Sequence, residues 1–337
     1  MRLRTYILLR LLLTIPMILI LVTLVFVIMR ILPGDPVVAL LGSKGASEQQ
    51  IELIRHQLGL DKPLYLQYIE YIGSLLRGDL GISMVRQDSV ATELAIHLPA
   101  TVELTFWSML LAVPLGIYGG VLAARKAGGK IDASIRFGAL IRWCIPVFWF
   151  GLLCQILVVQ FNLPLPIAGR ANPRMATLPV ITGLYVVDAI LEHNPPALVD
   201  AFVHLLLPVI CLGTTMAASV TLIARTNVVD VLGEEYIKVA SLKGCPDERV
   251  FQKHALPNAL IPILTYTGLQ VAILLQGAVL TETVFSWNGL GILLITAIGY
   301  RDFTLIQGCI VLFAVVVSIA NLIVDISYAI VDPRVRF

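Results

Sequence analysis

Six apolar runs organise the chain. They lie near Tyr6–Met29, Pro99–Ala124, Trp143–Phe161, His204–Ala224, Ala259–Thr281 and Phe303–Ile330. Each is close to the ~20 residues that cross a hydrocarbon core as a helix. In lipid a helix satisfies its own backbone hydrogen bonds, so the pattern predicts an all-α polytopic membrane protein with six transmembrane helices. The first run follows a basic start, MRLRTYILLR, as a secretory leader would. The run is too long for a leader, and no small-x-small cleavage site follows, which predicts an uncleaved first helix.

Two polar stretches between the runs are long. Leu32–Leu98 opens with the turn LPGDP. Apolar residues then recur at roughly helical spacing, first at Ile51, Leu53, Ile54 and Leu58, then at Tyr65, Ile69, Ile72 and Leu76. This predicts two short amphipathic helices on the outer membrane face. They are either a lid on the bundle or a docking surface for an external partner. Asn162–Val203 carries prolines at 164, 166, 173, 179, 195 and 196. That density predicts an irregular loop, with a short helix near Ile181–Leu191.

Composition agrees with the pattern. Hydrophobic residues make up 58% and charged residues 14%, with a mean hydropathy of +0.89. Soluble domains carry about 25% charged residues. Basic residues are unevenly spread. With a cytoplasmic N-terminus, the inner segments hold 15 of the 24 lysines and arginines and 8 of the 22 acids. That places both termini and the Arg225–Pro257 loop in the cytoplasm. The expected division is 1–31 as cytoplasmic N-terminus and first span, 32–98 as an extracytoplasmic segment, and 99–337 as a five-helix core with a loop at 225–257. The five cysteines (Cys144, Cys154, Cys211, Cys245 and Cys309) fall in spans or on the inner side, so no disulfide is expected.

Candidate chemistry is sparse. A phosphate-cradling loop needs G-x-x-x-x-G-K-[ST]. AARKAGGKID has Ala124 where the first glycine should stand and Ile131 where the hydroxyl should stand. The chain is therefore expected to bind no ATP and to be no enzyme. The span centres carry no charged residue, which argues against ion-coupled transport. Glu103 and Asp325 lie nearer span ends and are expected to be anchors or packing partners. The histidines form no i, i+4 pair, so no metal site is expected.

One stretch stands apart, EEYIKVASLKGCPDERVFQKHALPNALIP from Glu234 to Pro262. Acids begin its first helical pattern and Lys243 ends it, the order a helix dipole favours. Gly244 stands where a left-handed cap is wanted. Pro246 suits the first position of a second helix. Asp247 and Glu248 fall in that helix's first turn, Lys253 and His254 in its last, and Pro257 ends it. The expectation is two short helices meeting at a glycine corner that leaves the membrane.

At this stretch the chain resembles the inner-membrane permeases of ABC importers. Their E-A-A, three residues, Gly, nine residues, I-x-L-P signature maps onto Lys238-Val239-Ala240, Gly244 and His254-Ala255-Leu256-Pro257. The dipeptide/oligopeptide/nickel permease group is matched through Glu235-Tyr236, Ala240, Lys243-Gly244 and HALPNALIP, including Asn258. LPGDP, LGLDKPLYLQY, LLRGDLGIS, TETVFSWNGLG and the C-terminal NLIVDISYAIVDPRVRF match as well. That group usually has proline where Asn288 stands.

The resemblance implies a type I ABC importer permease fold in a prokaryotic inner membrane. Glu235, Tyr236, Ala240, Lys243, Gly244, His254, Pro257 and Asn258 would form the ATPase-coupling loop between spans four and five. The implied partners are a second homologous permease, two cytoplasmic ATPases that hold ATP and magnesium, an extracytoplasmic substrate-binding protein and membrane lipid; no nucleic acid is implied. Di- or oligopeptides are the expected cargo, with nickel chelates, glutathione or oligosaccharides as alternatives within the group. A membrane enzyme would need a polar catalytic cluster, and a receptor-like signalling subunit would not need the HALPNALIP corner.

Overall fold

The computed structural model describes residues 3–31, 37, 48–57, 59–173 and 179–331. The LPGDP turn, the side chains of Arg2, Arg4, Arg10, Ile54, Leu58 and Asp325, and the final residues with Arg334 and Arg336 lie outside the described residues. The helices are α1 (Leu3–Ile31), α2 (Glu48–Gln57), α3 (Leu64–Leu76), α4 (Val90–Arg125), α5 (Lys130–Cys144), α6 (Val147–Gln160) and α7 (Tyr185–Leu191). After them come α8 (Pro195–Gly233), α9 (Glu235–Leu242), α10 (Asp247–Arg249), a π turn (Val250–Ala255), α11 (Leu256–Phe285), α12 (Leu290–Gly299) and α13 (Phe303–Val331).

Helices α1, α4, α8 and α13 are each long and apolar enough to cross a membrane. Two bent pairs raise the number to six if each pair is one span: α5 with α6, at 96°, and the end of α11 with α12, at 81°. The third apolar run is therefore not the straight helix its composition suggests. Pro146 lacks an N–H, and Ile145 before it is extended at φ −74°, ψ 121°, as a pre-proline residue prefers. The long proline-rich loop also ends earlier than expected. Pro195 and Pro196 form the first turn of α8, where a missing N–H does no harm, and Asn194 Oδ1 caps that turn by accepting from Ala197 N at 3.1 Å.

Helices α4 and α8 form the centre and run parallel. Gly116 and Gly120 bring them together. A Cβ on Gly116 would stand 2.6 Å from Val220 Cβ, and one on Gly120 would stand 2.7 Å from the Thr221 carbonyl. Small residues four apart permit this backbone approach, and dispersion contacts then hold the pair. Around them lies a core of Ala100, Leu104, Ala112, Val220, Val228, Ile263 and Trp287.

Helix α3 forms, but its apolar stripe is not its packed face. Tyr65, Ile69 and Leu76 are exposed, while Gln67 is buried. Contact with α1 runs through Tyr68, whose hydroxyl lies 2.7 Å from Thr23 Oγ1, and through Tyr71, stacked on Phe26.

Candidate functional site

The corner begins where α8 ends. Lys243 is the C-cap of α9, and Gly244 follows at φ +78°. Gly244 N donates to Ser241 O at 3.0 Å, and Cys245 N to Ala240 O at 3.4 Å. These bonds close a Schellman cap, which needs a left-handed residue at this position. The corner also has a core of its own. Ile237, Val250 and Ala255 are buried together against Val231, Leu232, Ala240 and Cys245. The two arms are therefore packed on each other and on the end of α8.

The second arm differs from the two-helix expectation. Pro246 is the N-cap of α10 rather than its first residue. Pro257 does not end a helix; it lies in the first turn of α11. Helix α10, the π turn and α11 run on without a break. Proline is tolerated at such a start because the first N–H groups need no partner within the helix. Asn258 Nδ2 donates to the His254 carbonyl at 2.7 Å, satisfying an acceptor that the irregular turn leaves available.

The structure thus gathers Glu235, Tyr236, Ala240, Lys243, Gly244, His254, Pro257 and Asn258 on one projecting element. Glu235, Tyr236, Lys243, Gly244, Pro257 and Asn258 are exposed, and Ala240 and His254 are half-buried. Sequence reasoning missed the tip. Leu242 is 86% exposed, with Tyr236 and Val239 also exposed on the same helix. An apolar tip on a charged segment marks a contact surface more clearly than the charges do.

It also missed the connection to the bundle. Arg125, last residue of α4, donates from Nη2 to Glu248 Oε1 at 2.9 Å and lies over the Phe251 ring at 4.0 Å. The Arg125 hydrogen bond holds the Glu248 carboxyl below its usual range, more than offsetting the upward effect of burial; Gln252 and the Arg125 charge add to it. Nearby, Asp132 is fully buried at the start of α5. It accepts from Arg225 at 2.8 Å, Arg136 at 3.0 Å and Gly128 N at 2.9 Å. Charges 93 residues apart in sequence thereby fasten α5 to α8 beside the corner.

Helices α4 and α11 carry the connection to the opposite end. There Glu282 of α11, fully buried, accepts from Thr101 Oγ1 of α4 at 2.6 Å and from Gly291 N at 2.7 Å. Trp287 Nε1 donates to Ala100 O at 2.8 Å. Gly289 leaves room for this bond set, since a Cβ there would stand 2.5 Å from both Glu282 Oε1 and Thr101 Oγ1. Glu103 serves as a packing partner, accepting from Arg170 at 2.6 Å and Val186 N at 2.8 Å. A cavity of about 950 Å³ opens here among Ala95, Pro99, Arg170, Tyr185, Asp188 and Asn288.

One expectation about the span centres fails. Arg142, at the break between α5 and α6, donates to Thr214 Oγ1 at 2.9 Å and Cys211 O at 2.6 Å. Those acceptors lie half-way along α8, so a charged group does sit at mid-height.

Comparison with known proteins gives the pattern a context. Residues 116–337 match the family described as "Binding-protein-dependent transport system inner membrane component", and residues 3–105 match its N-terminal counterpart. The chain is 42% identical to the di/tripeptide transport system permease protein DppB of Pseudomonas aeruginosa, covering 93% of each chain. It is 40% identical to the dipeptide transport system permease protein DppB of Escherichia coli K12, over 98% of each. It is 38% identical to the oligopeptide transport system permease protein AppB of Bacillus subtilis, over 98% and 99%. A crystal structure of an amino acid ABC transporter shares the fold at a TM-score of 0.51 and 15% identity, covering 73% of this chain and 95% of that one.

Proposed function

Because this chain belongs to the family of inner membrane components of binding-protein-dependent transport systems, we propose that it is a permease subunit of an ATP-driven importer of di- and oligopeptides. The peptide assignment is supported by relatives that are di-, tri- and oligopeptide transport permeases and are similar over nearly the whole chain. In this reading the corner end faces the cytoplasm, together with both termini. A second, similar permease completes the pathway. A binding protein delivers peptide at the end where Glu282 and the 950 Å³ cavity lie.

The observation that carries the mechanism is the corner itself. Leu242, Tyr236 and Val239 point outward from an element stiffened by its own core. They fit a groove on a cytoplasmic ATPase. ATP and magnesium reside on that partner, whose closure moves the corner. Arg125, Phe251 and the continuous α10–π–α11 run pass the movement to α4 and α11. The two helices then shift the bond set at Thr101, Glu282 and Trp287. Each ligand acts by binding one state more tightly than the other.

The test is a pull-down of the ATPase by the permease complex in detergent. Leu242→Asp should assemble with the second permease yet lose ATPase retention at least tenfold. Retention equal to wild type overturns the docking role. Sidedness is tested separately by a Ser241→Cys variant. Its labelling by an impermeant reagent from outside intact cells overturns the proposed orientation.

A further inference from the structure

Two buried donors meet a cavity at the end of the bundle opposite the corner. The cavity is about 230 Å³ and lies between α1, α3 and the first turns of α13. Arg30, in the last turn of α1, lines one wall, and Gln307 of α13 lines another. Gln307 is 5% exposed, and among the described residues its Nε2 has no hydrogen-bond partner; the buried Nη1 of Arg30 has none there either. Leaving a buried donor unpaired costs ~1–3 kcal/mol, more for a charged group.

Among the described residues, the rest of the wall makes no bond to either donor. Arg30 Nε already donates to Gln67 Oε1 at 3.3 Å, and the guanidinium lies over Phe26 at 3.8 Å. Gln67 is fixed in that orientation because its Nε2 donates to Leu60 O and Lys62 O at 3.2 and 2.8 Å. Asp79 Oδ1 accepts from Gly81 N at 2.8 Å, and Glu70 is paired with Lys62 at 2.6 Å. Both acids lie on the exposed rim. Burial pushes the Tyr71 phenol up to about 12, partly offset by Arg30 and reinforced by Tyr68, so it stays neutral and brings no negative charge to the wall. The wall is also held in place: a Cβ on Gly81 would stand 2.7 Å from Thr304 Cγ2.

A single water needs on the order of 10–15 Å³, so the space is large enough for a group that accepts hydrogen bonds and carries negative charge. Depth says which anion. Arg30 ends an apolar span whose Val27, Ile28 and Ile31 are exposed, and Phe303 begins another. Beside them α3 exposes Leu64, Tyr65, Ile69 and Leu76. An apolar-faced helix at the end of two spans lies at headgroup level, where phospholipid phosphate is the abundant anion.

We infer that the cavity between α1, α3 and α13 is a phospholipid headgroup site, with Arg30 and Gln307 donating to the phosphate oxygens. The shared chemistry is a phosphate oxygen, and inorganic phosphate is the other source. The experiment is native mass spectrometry of the whole transporter complex, purified mildly and then supplied with phosphatidylethanolamine–phosphatidylglycerol vesicles. Wild type should retain one more phospholipid per copy of this chain than Gln307→Leu, which keeps the side-chain size and removes the donor. Arg30→Gln should show the same loss, and 10 mM inorganic phosphate should displace nothing. Unchanged ATPase retention confirms that each variant is assembled. Equal phospholipid retention by wild type and Gln307→Leu overturns the site. Displacement by inorganic phosphate overturns the lipid assignment. So does loss of binding-protein docking with lipid retention intact, which would mean that a partner's carboxylate fills the cavity.

Discussion

Gly244 lies at φ +78°, and a Cβ there would meet nothing within 4 Å. A valine is therefore penalised by backbone sterics alone, at ~1–2 kcal/mol. That cannot unfold the bundle, but it can re-aim the tip two residues away. Gly244→Val is expected to reach normal membrane levels while substrate-stimulated ATP hydrolysis falls several-fold. Gly244→Asn, better suited to left-handed space, should keep most of it, and Lys253→Ala nearly all. Wild-type hydrolysis by the valine variant would contradict the rigid-corner account. Glu248 adds a pH effect. Its carboxyl is held low in the folded protein, chiefly by the Arg125 hydrogen bond. The tether is therefore present above the ordinary carboxylate pKa and is lost as pH falls through the lowered value. Both side chains are partly exposed, at 37% and 59%, so the effect is small and salt-sensitive. A spin label at Leu242 should gain mobility on acidification and in Glu248→Gln at neutral pH. An acid response that persists in Glu248→Gln would implicate another group. The glycine and its cap could be foreseen because capping depends on neighbours in sequence. Leu242 and Arg125 could not, since their roles depend on which surfaces distant helices cover.

Between elements, close approach at Gly116 and Gly120 decides whether the centre forms. A side chain on Gly120 meets the Thr221 carbonyl at 2.7 Å and Arg225 N at 2.8 Å. Those are backbone atoms, so no rotamer change relieves the clash. Overpacking of this kind costs ~1–3 kcal/mol or more. Gly120→Val should lower the thermal unfolding midpoint in detergent by several degrees, whereas Gly138→Val, with nothing within 4 Å, should leave it unchanged. Equal midpoints would mean that α4 and α8 do not rely on this contact. The spans themselves were legible because a membrane sets helix length. Their ends and breaks were less so. A proline signals a break at Pro146, a first turn at Pro195 and a continued helix at Pro257, and only the surrounding packing distinguishes the three. The apolar stripe of α3 foretold the helix but not what lies against it, for a related reason. Amphipathic spacing marks an apolar face without saying whether protein or lipid covers it.

For the molecule as a whole, the mid-height charge on Arg142 bears on the energy source. An arginine keeps its proton, and this one donates to neutral acceptors on α8, so it cannot shuttle protons across the bundle. Uptake by the reconstituted complex is expected to require ATP and to survive an uncoupler. Accumulation driven by a pH step without ATP would refute this. The π turn adds a constraint of another kind. Val250–Ala255 holds one more residue per turn than an α-helix of the same height. Each residue advances a helix by ~100° and 1.5 Å. The phase of the corner relative to α11 is thus set by a count of residues. Deleting Gln252 would let the turn relax to an ordinary helix and leave the Leu242 tip near its present phase, whereas inserting one further residue there would swing it by roughly a quarter-turn. The spacing from Gly244 to Pro257 is accordingly a geometric constraint, under which an added residue re-aims the tip even where substitution is harmless.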